Sequence, residues 1–161
     1  MGSSRFPGKP LADLQGKPMI RHVFEKVQSN SLVSLTAVAT CDREIADCIE
    51  SIGGKAIMTG NHHERASDRC AEALLYLQHH EQQTFDIVVM VQGDEPMIDP
   101  GVIDKVAALL EVNEMSTAAV PIRQLDEWEN PNAVKVVVNA SGHALYFSRR
   151  TIPYLREAAD A

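Results

Sequence analysis

The chain has 161 residues, 45% of them apolar and 23% charged, and its 15 Lys and Arg against 22 Asp and Glu give a formal charge of −7 at pH 7. Such a chain suits one folded domain, 1–161, with a sizeable core, and argues against disorder. It carries no basic patch for a nucleic-acid partner, and its longest apolar run, "IVVMV" at 87–91, is far too short for a membrane span.

The chain opens on "SSRFPGKPL", residues 3–11, where Ser3, Ser4, Arg5 and Lys9 surround Pro7 and Gly8. "KPMIRHVFEKVQS" then places Met19, Ile20, Val23, Phe24 and Val27 on one stripe at helical spacing. "LTAVAT" (35–40) is a short buried strand. "DREIADCIESIGG" is a second helix closed by Gly53 and Gly54, and "KAIMT" is the next strand. A third helix is expected from Ser67 as N-cap, with Cys70, Ala71, Leu74, Leu75 and Leu77 on its inner face. "DIVVMV" (86–91) is apolar almost throughout, as a central parallel strand would be, and stops at "QGDEP". "PGVIDKVAALLEVN" starts a helix with proline, and "TAAVPI" is one more strand. Beyond it, "VKVVVN" and "ALYFSR" flank the turn-like "ASGH" as an antiparallel pair, and "YLREAADA" begins a helix. Alternating helices and strands predict an α/β fold with a mostly parallel sheet, helices on both faces and an appended antiparallel pair.

In such a sheet, ligands bind outside the carboxyl ends of the strands. Two segments are candidates for that edge. In the opening loop, Gly2 and Gly8 permit close backbone approach, Arg5 offers a planar fork for phosphate oxygens, and Lys9 adds a mobile charge. In "QGDEP", Asp94 and Glu95 place carboxylates where a divalent metal on a triphosphate would lie. A plain surface turn and a strand-ending cap are the competing readings of these two segments. With a net negative chain, a few local cations and backbone N–H groups must hold any anion, which points to a small phosphate ligand.

Four motifs carry a resemblance to a known family: "SSRFPGKPLADLQGKPMI", "VQGDEPMI", "NPNAVKVV" and "ALYFSRRTIP". In this order they resemble the 3-deoxy-manno-octulosonate cytidylyltransferases, also called CMP-Kdo synthetases. The resemblance implies a Rossmann-like nucleotidyltransferase fold, a homodimer, and transfer of CMP from CTP to the sugar acid Kdo with release of pyrophosphate and Mg²⁺ as cofactor. The product, CMP-Kdo, serves lipopolysaccharide biosynthesis. It also implies roles for particular residues. Ser3, Ser4, Arg5, Lys9, Ala66, Ser67 and Arg69 would contact the nucleotide, with Arg5, Lys9 and Asp94 as the catalytic set. Asp94 would bind Mg²⁺, and Gln92, Arg69 and Arg156 would meet the sugar acid. No covalent protein nucleophile is implied.

The sequence departs from the family pattern in three places. Family members begin with an apolar strand ending in I-P-A-R, where this chain starts at Met1; that strand is expected to lie upstream or to be lost. The family also continues past "ALYFSRRTIP" with dimer contacts, sugar-binding groups and a second metal-binding aspartate. Where it reads H-x-S-G-T-[DE]-R, this chain has "HERASDR" (63–69), with Arg65 and Ala66 replacing serine and glycine. A Cβ at Ala66 is expected to bear on the base pocket. A nucleotidyltransferase for another sugar acid and a non-catalytic nucleotide-binding remnant therefore stay open.

The remaining features call for plainer readings. Cys41, Cys48 and Cys70 lack zinc spacing and read as reduced, mostly buried thiols. No apolar leader precedes the loop, so a soluble, cytoplasmic protein is expected. His62 with His63 and His79 with His80 are adjacent pairs, read as surface histidines because neighbouring helical residues point apart. Trp128 is a packing anchor, and Asp126, Glu127 and Glu129 form a solvated face.

Overall fold

In the computed structural model, which describes residues 8–154 and 156, the first strands form a two-residue hairpin that periodicity does not signal. β1 (Asp13–Leu14) pairs antiparallel with β2 (Lys17–Pro18) across Gln15 and Gly16, both at positive φ, 55° and 84°. Two left-handed residues match the twist of a tight hairpin, and Asp13 Oδ1 secures the turn by accepting the Gly16 N–H at 3.0 Å. α1 (Met19–Gln28) follows directly and buries Ile20, Val23 and Phe24, the expected stripe.

β3 (Ala37–Thr40) and β4 (Lys55–Met58) are parallel, in register from Ala37↔Lys55 to Thr40↔Met58, with α2 (Arg43–Glu50) between them in the chain. Their alternation separates two faces. Val38 and Ala56 pack with Ile20 and Phe24 of α1 and Ile45 and Ile49 of α2. Ala37, Ala39 and Ile57 pack against Ala73 and Leu77 of α3 (Ala66–His80). α2 ends as expected at its glycines. Gly53 takes φ 75°, and a Cβ on Gly54 would stand 2.7 Å from both Ile49 and Phe24, so glycine is what lets the turn close onto the core. The cap of α3 falls two residues ahead of the expected Ser67, at Arg65, which is extended and makes no side-chain capping hydrogen bond. Asp99 caps α4 (Pro100–Ala108) by accepting the Gly101 N–H at 2.9 Å, and Leu109–Glu111 continues as a 3₁₀ turn.

Two expected strands do not form ladders among the described residues. Residues 86–91 lack strand pairing, and Ile87, Val88, Val89 and Met90 are 36 to 50% exposed. A continuous apolar run reports a preference for burial between partners; it does not supply them. Among the described residues β3 pairs with β4 alone, and a cavity of about 780 Å³ shares its walls with Ala37, Val38 and Ala39 on β3 and with Val88 to Val91. Residues 117–122 likewise form no ladder, with Val120 87% exposed.

The chain divides into two compact units, 1–116 and 117–161. The first holds all the elements described so far. In the second, α5 (Leu125–Glu129) precedes β5 (Lys135–Val138), which pairs antiparallel with β6 (Ala144–Ser148) as expected, with an irregularity at Val137/Val138. Lys135 is 3% exposed, and its ammonium donates to the carbonyls of Asn130, Ala133 and Arg149 at 2.7 to 3.0 Å. Trp128 anchors α5 by donating its indole N–H to Ile152 O at 3.0 Å. The helix expected over "YLREAADA" falls on residues outside the described ones, apart from Tyr154 and Arg156. Among the described residues, no helix is long and apolar enough to cross a membrane. Cys41, Cys48 and Cys70 are free and half-buried, more accessible than the expected buried thiols.

Candidate nucleotide site

Lys9 begins a 3₁₀ turn, Lys9–Leu11, that Gly8 enters at φ 74°. Leu11 packs against the α1/α2 core and fixes the turn to the fold. Across 85 residues of sequence, Lys9 Nζ meets Asp94 Oδ2 at 2.6 Å, with both side chains a little over one third exposed. The structure therefore brings together the two segments that residue chemistry alone nominates. The turn carrying Asp94 is closed by Glu95 N–H donating to Gln92 O at 3.3 Å. It sits so close to α1 that a Cβ on Gly93 would come within 2.8 Å of Ile20 Cδ1. Two bonds that sequence reasoning misses clamp the segment that follows. Asn30, buried at the end of α1, donates from Nδ2 to Pro100 O at 2.9 Å and to Asp104 Oδ1 at 2.6 Å. No spacing or motif marks Asn30, because its role depends on what the fold brings near it.

Lys9, Gln92 and Asp94 line the 780 Å³ cavity together with Ala66 and Arg69 from the first turn of α3. Arg69 is half-buried and aimed by two bonds, from Nη1 to Thr59 Oγ1 at 2.5 Å and to Gly60 O at 3.0 Å. Ala66 is the first residue of α3, an ordinary helical position, so the freedom of glycine is not needed there and the effect of its methyl is confined to the cavity wall. Cys70 also lines the cavity, and burial pushes its thiol pKa up, which keeps it protonated and a poor nucleophile. Ser67 is exposed and directed to Asp68 at 3.4 Å, and it does not line the cavity. Arg156 is exposed in the second unit, and Ser3, Ser4 and Arg5 lie outside the described residues.

The donor set at Asp94 is all oxygen. One carboxylate, accessible and beside Glu95, suits a hard cation that keeps much of its water, as Mg²⁺ does. Lys9 occupies one oxygen of that carboxylate in this structure.

Three comparisons bear on the chain. A 3-deoxy-manno-octulosonate cytidylyltransferase of Trichlorobacter lovleyi is 49% identical over 159 residues, which are 97% of this chain and 61% of that protein. The enzyme of the same name from Thermodesulfovibrio yellowstonii is 46% identical over 160 residues, 97% of this chain and 63% of that protein. The chain thus spans about three fifths of the length of these curated relatives. A solved structure, a CMP:2-keto-3-deoxy-manno-octonic acid synthetase complexed with CTP, superposes with a TM-score of 0.81 at 41% identity, over 99% of this chain and 65% of that one. This likeness establishes the α/β nucleotidyltransferase fold. The cytidylyltransferase family model matches residues 1–161, end to end, and the chain belongs to that family.

Proposed function

We propose that this chain forms the nucleotide-handling part of an enzyme that transfers CMP from CTP to 3-deoxy-manno-octulosonate. The observation that carries the reading is the meeting of Lys9 and Asp94 at 2.6 Å on the wall of a cavity that Gln92 and Arg69 share. The relatives' names support cytidylyl transfer, and the solved relative was complexed with CTP.

In this reaction the anomeric hydroxyl oxygen of the sugar acid attacks the α-phosphorus, and the bond from that phosphorus to the β-bridging oxygen breaks. The hydroxyl proton goes to solvent and pyrophosphate leaves. Lys9, with Arg5, Ser3 and Ser4, would hold the triphosphate and neutralise charge gathering on its oxygens. Phosphate oxygens would draw Lys9 away from Asp94, freeing that carboxylate for Mg²⁺, which when bound supplies charge neutralisation at the phosphates. Ala66, Ser67 and Arg69 would border the nucleotide. Arg69, Gln92 and Arg156 would recognise the sugar acid. A cytoplasmic homodimer completes the proposal, and the unpaired cysteines support a reducing compartment.

Thermal unfolding with Mg²⁺ and each of CTP, UTP, ATP and GTP tests the reading. CTP at a hundredfold its Kd should stabilise by about 2.7 kcal/mol, and the others by less. Lys9→Ala and Asp94→Asn should each remove most of that shift. Equal shifts with all four nucleotides, or a CTP shift untouched by either substitution, would overturn the assignment. Kdo-dependent pyrophosphate release then separates an enzyme from a nucleotide-binding remnant.

A further inference from the structure

The stretch from Thr59 to Arg65 joins β4 to α3, and because α3 begins only at Ala66, its two histidines are loop residues. The expectation that they point apart, which holds for helical neighbours, does not apply. The His62 and His63 rings lie with centroids 4.3 Å apart and planes tilted by 39°. Glu72, in the second turn of α3, reaches back to this loop. Both its carboxylate oxygens accept the Gly60 N–H at 3.1 Å, and Oε2 is hydrogen-bonded to His63 Nε2. These bonds, that from His63 first and that from Gly60 second, hold the Glu72 carboxyl below the usual carboxylate range. The His62 ring lies over Gly60, in space that any Cβ there would fill. One ligand atom from each of His62, His63 and Glu72 falls within 4.8 Å of the other two.

We propose that His62, His63 and Glu72 form a binding site for a divalent transition metal of the Zn²⁺ type. Two imidazole nitrogens and one carboxylate oxygen suit Zn²⁺, Co²⁺ or Ni²⁺, whereas Mg²⁺ and Ca²⁺ prefer oxygen throughout. Bonds of about 2.0–2.2 Å to Zn²⁺ place tetrahedral ligand atoms roughly 3.4 Å apart, so the hydrogen-bonded His63 and Glu72 must open slightly to admit the metal while the His62 ring turns toward it. The Gly60 N–H holds the carboxylate in place, as second partners of metal ligands do. On binding, the metal takes the place of the hydrogen bond between His63 and Glu72, and each neutral imidazole keeps its one N–H on the ring nitrogen that does not face the metal. Water fills the open coordination position, since His62 is exposed.

This site is separate from the one at Asp94, because none of the three residues lines the cavity there. The two share a loop all the same. The Gly60 carbonyl receives Arg69, and the Gly60 N–H is bound by Glu72. A metal at His62, His63 and Glu72 therefore ties down the loop that aims Arg69.

The test uses the full chain, stripped of metal with a chelator and titrated with Zn²⁺ against a competing chromophoric chelator. One equivalent should bind, and His62→Ala, His63→Asn and Glu72→Gln should each weaken it at least about tenfold. His79→Ala with His80→Ala should leave it unchanged. Co²⁺ should give the visible absorption of a four-coordinate centre, absent in His62→Ala. His62→Ala is the deciding variant, because the ring is exposed and the thermal midpoint should not move. No binding by the wild type would overturn the proposal, and so would the same affinity in His62→Ala, which would assign the bound metal to cysteines or other histidines.

Discussion

The two units of the chain bury opposite kinds of chemistry. In residues 1–116, α1, α2 and α3 close on the β3/β4 pair with Phe24, Ile45 and Ile49 at most 6% exposed. In residues 117–161, no apolar residue is buried among those described, and the interior member is the Lys135 ammonium with its three carbonyls. The first unit is held by area removed from water, which is additive and tolerant of small changes. The second has at its interior, beside the β5/β6 ladder and the Trp128 bond, one charge whose hydrogen bonds are directional, and that arrangement fails when its single donor is lost.

The largest effect should come from breaking the apolar side of this contrast. Phe24→Ala should cost about 3–5 kcal/mol in chemical denaturation and lower amide-exchange protection along α1, α2 and β3, because it opens a void beside Ile49. Lys135→Met keeps the length of the side chain and removes the donors. It should cost about 3 kcal/mol, read as lost exchange protection at Lys135–Val138 and Ala144–Ser148. Equal loss in both units from either substitution would break the comparison.

The smallest effect sharpens it, since the first unit also carries exposed ion pairs. Bonds from Lys17 and then Arg21 hold the Glu25 carboxyl below its ordinary value of 4.5. A carboxyl whose pKa is lower in the folded state adds stability above its unfolded pKa, and that stability is lost as pH falls through the folded value. Glu25→Gln should therefore cost less than about 1 kcal/mol at pH 7, the carboxylate being one third exposed. The difference from wild type should vanish below the ordinary carboxylate range in pH-dependent urea unfolding.

Much of the helical framework is legible in the sequence, because a 3.6-residue stripe such as Ile20, Val23 and Phe24 encodes its own buried face. β3, β4 and the β5/β6 pair are legible for the related reason that alternation and turn residues bracket them. The run at 87–91 shows the boundary of that logic. Its apolar character states a demand for cover, and pairing depends on segments distant in sequence. The β1/β2 hairpin escapes because Gln15 and Gly16 make a weaker turn signal than Asn-Gly or Asp-Gly. At the candidate site, Lys9 and Asp94 are legible as a cation and an anion worth placing on one edge, and only the fold supplies their contact. The grouping at His62 and His63 is not legible in the sequence because both residues precede α3, where the divergence of helical neighbours has no bearing, and because only the fold brings Glu72 back to them.

The pairing of Lys9 with Asp94 has a kinetic consequence. Within a chain of net charge −7, the cleft's mobile cation is already matched by an anion, so little positive field extends from this pair into solution. From this pair an anionic ligand is drawn in only at contact range, where its oxygens can exchange with the carboxylate of Asp94, and any longer pull is left to Arg69, whose bonds go to neutral oxygens. Discrimination then falls after encounter, in how long a ligand stays, and long-range steering contributes little to which ligand arrives.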